Sequence, residues 1–358
     1  MQSSFKVFTI AGIEIRIHFT LFIILIILSY LLYFNPFPFG FAEAGFSESV
    51  KIALSIASAI GLFVAVLLHE LSHSLLSKRS GVEVKGILLF IFGGVSMLEK
   101  FPKEPEKEIS IAIVGPLTSF AIAAVAYLIF LTGIPIVAEF FMVFFYFNVV
   151  LGAFNIIPAF PLDGGRVLRG FIARKTNFIK ATQVAAGVGK SLAIFMAIVG
   201  IFANPWLILI ALFIYLGASE EERTATMENV LSDSRVRDVM SSPAVTVTPD
   251  TTAEDVINLM FKHRHLGYPV TEDSELVGIV TLQDVANASR DSLVKDLMKT
   301  EVTTITPDMT SLESFRIMNE NKIGRLPVVS DTGELQGIVS RTDLMRILEV
   351  VEAIRSGE

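Results

Sequence analysis

The sequence predicts a polytopic α-helical membrane domain, with about six transmembrane helices and a small re-entrant or strand element, followed by a soluble α/β pair of repeats. Three observations predict this. Long apolar runs fill residues 1–215, whereas most acidic residues lie beyond 219. A mean hydropathy of +0.62 and 29 Phe among 358 residues are high for a chain that is soluble throughout. Residues 246–285 recur at 304–344, at an offset of 58 that becomes 59 near the end, which marks a tandem duplication. The expected divisions are a membrane domain over 1–220, a linker over 221–234, and repeats over 235–291 and 292–350.

Taken in order, residues 5–17 alternate weakly around a Gly turn, as a short strand pair or an interfacial segment does. An apolar span follows at about 19–34. Residues 35–49, NPFPFGFAEAGFSES, are too broken by Pro and Gly to cross a bilayer. Their aromatics suit a membrane interface, with a gate over a site as the alternative. A long helix covers about 49–79. Residues 82–98 are rich in branched and aromatic side chains around a Gly pair, and read as strands or a re-entrant hairpin. Further spans are expected at 109–131, 136–157, 183–202 and 204–218. Loop 78–108 carries six Lys or Arg and loop 163–182 carries five; the connections 34–48, 132–136 and 203–205 carry none. The positive-inside rule then places both basic loops, both termini and the repeats in the cytosol of a multi-pass protein of the cell membrane. The N-terminus lacks the pattern of a cleaved signal peptide and is expected to belong to the mature protein.

Composition limits the chemistry. A net charge of −7 gives no reason to expect nucleic-acid binding. There is no Cys, so any metal must be held by His, Asp or Glu. From Ile52 to Ser77 the only ionic or imidazole side chains are His69, Glu70 and His73, spaced H-E-x-x-H. On a helix, i and i+4 lie on one face, so both imidazoles can reach one metal ion, while Glu70 lies about 100° further round, beside it. There it can take a proton from a water. An ionisable group within a bilayer costs roughly 2.5–3.5 kcal/mol or more, which marks Glu70 as functional.

Two His leave a zinc site one protein ligand short. Asp163 is the only Asp in the first 232 residues and lies in NIIPAFPLDGGRVLR, on the same membrane side as the His pair. A Pro- and Gly-broken segment at membrane depth is tolerated where it lines a cavity or is buried in protein. Asp163 is therefore the expected third ligand. The competing reading is a helix cap or a partner for Arg166, and His18 is a weaker ligand candidate.

Together, HELSH in an apolar helix, GGVSM, GPLTSF and N-x-x-P-x-x-PLDGGR resemble the site-2 protease family of intramembrane zinc metalloproteases over about residues 5–215. The resemblance implies one zinc ion on His69, His73 and Asp163, with Glu70 as catalytic base. It implies that Asn155 steadies the substrate carbonyl or the oxyanion. It also implies that the strand at Gly93, Gly94, Val95, Ser96 and Met97 pairs with an unwound segment of a membrane-anchored protein substrate. Leu117, Thr118 and Ser119 are given no catalytic role, since the Asn that the family often has there is missing. Gly115 and Pro116 read equally well as helix-packing and kink residues.

The repeats resemble cystathionine-β-synthase (CBS) domains over about 235–350, through the T-[VI]-T-P-D openings, the Pro-Val strands and the G-I-V-[ST]-x-x-D endings. The resemblance implies adenine-nucleotide contacts (ATP or AMP) from Thr281 and Asp284, and from Ser340 and Asp343, with homodimerisation through the pair as a further expectation. The plainer reading of both Asp is that they open helices. The expected function is regulated intramembrane proteolysis modulated by the CBS pair; the alternative is a CBS-gated transporter or channel.

Overall fold

The computed structural model describes residues 4–91, 93–98 and 104–347. They form two compact units, Met1–Arg223 and Thr224–Glu358.

The first unit begins with a strand pair, β1 (Ser4–Ile10) and β2 (Ile13–His18), turning at Ala11 and Gly12, where φ is positive at both residues. After α1 (Thr20–Phe34) and α2 (Glu48–Arg79) come β3 (Val84–Phe90) and β4 (Gly93–Leu98). The two hairpins are one sheet of order β1-β2-β3-β4, because β2 and β3 pair in parallel. Parallel neighbours need a long crossover, which α1 and α2 provide. Alternate residues Ile13, Ile15, Ile87 and Leu89 are buried with Leu21 and Leu71, so one sheet face packs on these helices. Segment 35–47 folds back between α1 and α2, with Phe41 buried against Leu32, Leu54 and Val143.

The remaining helices are α3 (Pro105–Phe130), α4 (Pro135–Ile156), α5 (Asp163–Ala173), α6 (Phe178–Phe202) and α7 (Trp206–Asp233). By length and composition, α2, α3, α4 and α6 can cross a membrane. At 15 residues α1 rises only about 22 Å, short of the ~30 Å hydrocarbon core. The apolar part of α7 ends near Ala218, so a count of six rests on α1 and α7. The stretch 221–234, expected as a linker, is helical to Asp233. Its Glu, Arg, Ala, Met and Leu are good helix formers, and it contains neither Pro nor Gly. The shift to polar composition changes the surroundings of the helix without ending it. Of the basic loop at 78–108, Lys100 and Lys103 lie outside the described residues.

The second unit contains two similar halves. The first holds α8 (Val236–Val239), α9 (Ala253–His263), β5 (Gly267–Glu272), β6 (Glu275–Thr281) and α10 (Leu282–Val285). The second holds α11 (Val294–Leu297), α12 (Ser311–Glu320), β7 (Arg325–Val329) and β8 (Leu335–Ser340), followed by helical residues to 347. The two cores exchange their short helices: Val236 of α8 is buried with Ile305, Met318 and Leu326, and Val294 of α11 with Val256, Met260 and Val280. Ahead of the long helix each copy forms a single bridge rather than a strand, Val247 to Val270 and Ile305 to Val328. Pro249 and Pro307 follow two residues later and lack the N–H that a longer ladder needs. The long helices are capped alike: Thr252 accepts from the Asp255 amide and Thr310 from the Glu313 amide.

One buried ion pair fastens α5 to α3. Arg169 meets Glu108 at 2.5 Å, with both side chains almost wholly enclosed, and its guanidinium stacks on Phe160 and Phe178. Removing one member of such a pair strands the other charge. Arg169→Met is expected to destabilise the membrane unit by about 3–5 kcal/mol, read as a lowered thermal unfolding midpoint of the purified protein in detergent.

Candidate active site

The expected metal residues converge. His69 and His73 lie one turn apart on α2, and Asp163 is the first residue of α5. The His69 and His73 Nε2 atoms are 3.2 Å apart, and Asp163 Oδ2 lies 3.1 Å from the first and 3.2 Å from the second. Among the described residues, this is the group of three side chains whose spacing could hold a metal ion. Both imidazoles are more than nine-tenths buried.

The opposite ring nitrogens are both held, and for His73 the partner sets the tautomer. His73 Nδ1 lies 2.6 Å from the Ile111 carbonyl, which can only accept, so Nδ1 carries the proton and Nε2 presents its lone pair. His69 Nδ1 meets the buried hydroxyl of Ser119 at 2.9 Å. Such outer contacts fix ring orientation at metal sites. Ser119 thus has a role that the sequence reading did not give it.

Gly115 also acts at this site. A Cβ there would lie 2.1 Å from His73 Nε2 and 2.6 Å from His69 Nε2. Any larger residue would fill the space between the imidazoles and α3. Ile111, Gly115 and Ser119 recur every four residues on α3, and Gly115 with Ser119 is a small-xxx-small pair typical of close helix packing. That spacing was the signal available in the sequence.

Glu70 faces the same cavity. Its Oε2 accepts from Ser96 Oγ at 2.7 Å, and Ser96 is linked in turn to Ser74 at 3.0 Å. Gly94 makes room for it, since a Cβ there would come 2.6 Å from Glu70 Cγ. Asn155, at the end of α4, also lines the cavity and donates through Nδ2 to the Leu151 carbonyl, keeping a second N–H. The cavity is about 570 Å³ and is bounded by His69, Glu70, His73, Gly93, Gly94, Val95, Ser96, Asn155, Asp163 and Arg166 among others. Apart from Met97, every residue expected of the membrane site therefore borders one space. In the order of the sheet β4 is an edge strand, and it forms one wall.

Helix α7 supports the Asp163 segment from behind. Phe213 lines the cavity, Gly217 admits the Pro161 ring, and Glu221 lies 3.7 Å from Arg166 and 3.9 Å from Arg169. These three residues are spaced by four and share one helix face.

The spacing and hydrogen bonds of this group define what it can do. Three lone-pair atoms at 3.1–3.2 Å match the ~3.3 Å edge of a tetrahedron of ligands about 2.0–2.1 Å from zinc. Two imidazoles and one carboxylate leave the fourth position open, which is the catalytic pattern. A carboxylate beside that position is suited to proton transfer.

In the second unit, Thr281 and Ser340 form capping boxes with Asp284 and Asp343: each Asp Oδ2 accepts from the hydroxyl, at 2.5 and 2.6 Å, and from the same residue's amide. The helix-opening reading of both Asp is thus realised. A cavity of about 410 Å³ between the two halves is lined by Thr281, Lys299, Glu301, Lys322 and Arg325 among others. Asp284, Ser340 and Asp343 are not among its lining residues.

The model of "Peptidase family M50" matches residues 57–138 and 134–196, and that of "CBS domain" matches 236–291 and 294–350. A zinc metalloprotease of Methanocaldococcus jannaschii is 36% identical over 98% of both chains. The Rip3 protein of Mycobacterium tuberculosis is 29% identical over 98% of this chain and 94% of its own. A solved site-2 protease from Methanocaldococcus jannaschii is 38% identical and covers 61% of this chain and 95% of its own, with a TM-score of 0.43. The family matches span His69, His73 and Asp163, and identity extends along nearly the whole of both chains: this protein belongs to peptidase family M50, and carries a pair of CBS domains after its peptidase unit.

Proposed function

We propose that His69, His73 and Asp163 hold one zinc ion, and that Glu70 is the general base with which this membrane metalloprotease hydrolyses peptide bonds in or near the transmembrane segments of membrane-anchored proteins. One observation carries the reading: two Nε2 atoms and a carboxylate oxygen, 3.1–3.2 Å apart, beside a Glu carboxylate held by Ser96 in an apolar helix. Zinc in that position supplies a Lewis acid and makes a water held against it more acidic. Glu70 takes the proton from the attacking water and delivers it to the departing amine nitrogen. Ser96 holds the carboxylate in place by donating to Oε2. Asn155 offers its remaining N–H to the oxygen that gains charge at the carbonyl.

A helical substrate hides its carbonyls in its own hydrogen bonds and must unwind locally. The edge of β4 at Gly93, Gly94, Val95 and Ser96 then gives the extended stretch a strand to pair with. The positive-inside rule supports a multi-pass arrangement with loops 78–108 and 163–182, both termini and the CBS domains in the cytosol. A CBS-gated transporter or channel is not favoured, since the membrane unit is that of a peptidase family.

The CBS pair is read as the regulator. Lys299, Lys322 and Arg325 against a single Glu301 give its cavity a cationic lining, suited to the phosphate of an adenine nucleotide, with Thr281 alongside. Thr281, Asp284, Ser340 and Asp343 remain the nucleotide contacts that the CBS resemblance implies, although three of them stand outside this cavity.

The purified chain is expected to carry about one zinc per molecule by mass spectrometry of its metals. Gly115→Ala and Asp163→Ala should both lose it. Glu70→Gln should keep the zinc while slowing cleavage of a membrane-tethered test protein by about 10²–10⁴-fold; undiminished cleavage by that variant would sink the assignment. Calorimetry on the full chain is expected to detect AMP or ATP, with the Lys299→Ala, Lys322→Ala double variant binding about tenfold or more weakly. Equal affinity in that variant would move the nucleotide elsewhere.

A further inference from the structure

The four-stranded sheet has a second edge, β1, none of whose residues lines the catalytic cavity. Strand β1 pairs with β2 so that Phe5, Phe8 and Ile10 stand opposite Ile17, Ile15 and Ile13, while Lys6 and Thr9 stand opposite Arg16 and Glu14. Cross-strand partners share a face. The first set therefore belongs to the face that packs on α1 and α2, and the second to the opposite face. Ile13 and Ile15 are covered by the helices, but Phe5, Phe8 and Ile10 are between 37% and 48% exposed. Strand β1 thus projects past the helices with its apolar side uncovered.

Continuity and charge both indicate what covers it. Phe5 stacks on Phe22 at 6.3 Å, and Phe22, Ile26 and Tyr30, spaced by four, form an exposed apolar face of α1. The overhang therefore continues the face of a helix suited to lipid. Helix α1 rises about 22 Å against a hydrocarbon core of ~30 Å, and the hairpin leads directly into it. The apolar side of β1 is thus in place to meet the hydrocarbon that α1 leaves uncovered. Residues 4–18 and 78–91 carry five cations, Lys6, Arg16, Lys78, Arg79 and Lys85, against Glu14 and Glu83, a surplus of three positive charges in a chain of net charge −7. Lys78 donates to the Ala11 carbonyl at 2.8 Å, which places its charge at the hairpin turn. On the polar face one carboxylate, Glu14, lies 2.8 Å from Lys6 and 3.4 Å from Arg16.

An apolar face opposite a cationic one is the pattern of an element that lies in a membrane interface. We propose that the β1–β2 hairpin is a lipid-binding shelf: Phe5, Phe8 and Ile10 rest on the acyl chains just below the headgroups, and Lys6, Arg16 and Lys78 gather the phosphates of anionic phospholipids. Long cationic side chains reach the headgroups from such a position while their stems stay on apolar surface. The same seating shields the outer edge of the sheet from pairing with another chain. Because β1 and β4 are the two edges of one sheet, holding β1 in the interface sets the height of β4 in the bilayer. Lipid binding here does not depend on the chemistry at the metal site.

Trp206 is the one Trp of the chain, which makes a local test possible. Full-length protein carrying Trp206→Phe and Phe8→Trp is placed in vesicles of phosphatidylcholine and phosphatidylglycerol brominated near the headgroup end of their acyl chains. The indole at position 8 is expected to be quenched by bromine and screened from aqueous acrylamide. An indole open to acrylamide and unquenched by bromine would overturn the proposal. One screened from acrylamide but unquenched by bromine would overturn it too, because a second copy of the chain would then cover the strand. Native mass spectrometry of the unmodified chain, extracted from mixed vesicles, should find phosphatidylglycerol retained in preference to phosphatidylcholine. The Lys6→Gln, Arg16→Gln double variant should lower that preference about tenfold or more, and Glu14→Gln should raise it. The thermal midpoint in detergent checks that each variant is folded. Equal lipid ratios in all three proteins would overturn the proposal.

Discussion

Two imidazole lone pairs and a carboxylate oxygen held 3.1–3.2 Å apart in a nearly dry site repel one another unless a cation lies among them. Desolvating such a carboxylate alone costs several kcal/mol. Most of the membrane unit can be understood as the means of keeping these three atoms together. Helix α3 approaches α2 closely enough for the Ile111 carbonyl and the Ser119 hydroxyl to hold the outer ring nitrogens, and that approach requires Gly at 115. The ion pair Arg169–Glu108 fastens α5 to α3, so the helix that starts with Asp163 is tied to the helix that orients the imidazoles. The face of α7 formed by Phe213, Gly217 and Glu221 closes the other side.

The same site must admit a polypeptide, which sets an opposite demand. A helix exposes no carbonyl to attack, and unwinding it in hydrocarbon costs several kcal/mol for each backbone group left unpaired. The sheet meets this demand. Its buried face, built from Ile13, Ile15, Ile87 and Leu89, anchors it on α2, while β4 is left at the edge of the strand order beside Glu70. An unprotected edge strand is a liability for a soluble protein. Here Ser96 shows why it is retained: the residue belongs both to the edge strand and to the hydrogen bond that holds Glu70. A segment paired at this edge would therefore be coupled to Glu70 through one backbone.

Much of this was legible in the sequence because some signals are local and others are exclusive. The i, i+4 spacing of His69 and His73 is a local geometric fact, and Asp163 stood out because no other Asp precedes residue 233. The hairpins were legible from their Gly turns. Their union into one sheet was not, since the parallel pairing of β2 with β3 joins residues about 70 apart and leaves no local trace. Ser119 was passed over because the reading looked for an Asn in its place, although the Ile111–Gly115–Ser119 spacing was present. The helical course of 221–233 was hidden by its polar composition, which reports surroundings and not backbone conformation.

The CBS halves show how duplication preserves structure more readily than chemistry. Both copies keep the hydroxyl–Asp capping box, Thr281 with Asp284 and Ser340 with Asp343, because each helix start needs its amides satisfied in the same way. A motif maintained for that reason says little about ligands. The difference between the copies says more. At the duplication offset of 58, Arg325 corresponds to Gly267, and Arg325 Nη1 donates to the Gly267 carbonyl at 2.7 Å. A Cβ on Gly267 would already lie 3.1 Å from that nitrogen. The long cationic side chain of one half thus occupies room left by the missing side chain of the other, and the two positions could not both be Arg without displacing this contact. Arg325 thereby adds to the cavity lined by Lys299 and Lys322 a charge that Gly267, its counterpart, cannot supply. Any anionic ligand of the pair should accordingly distinguish the two halves, even though their backbones repeat.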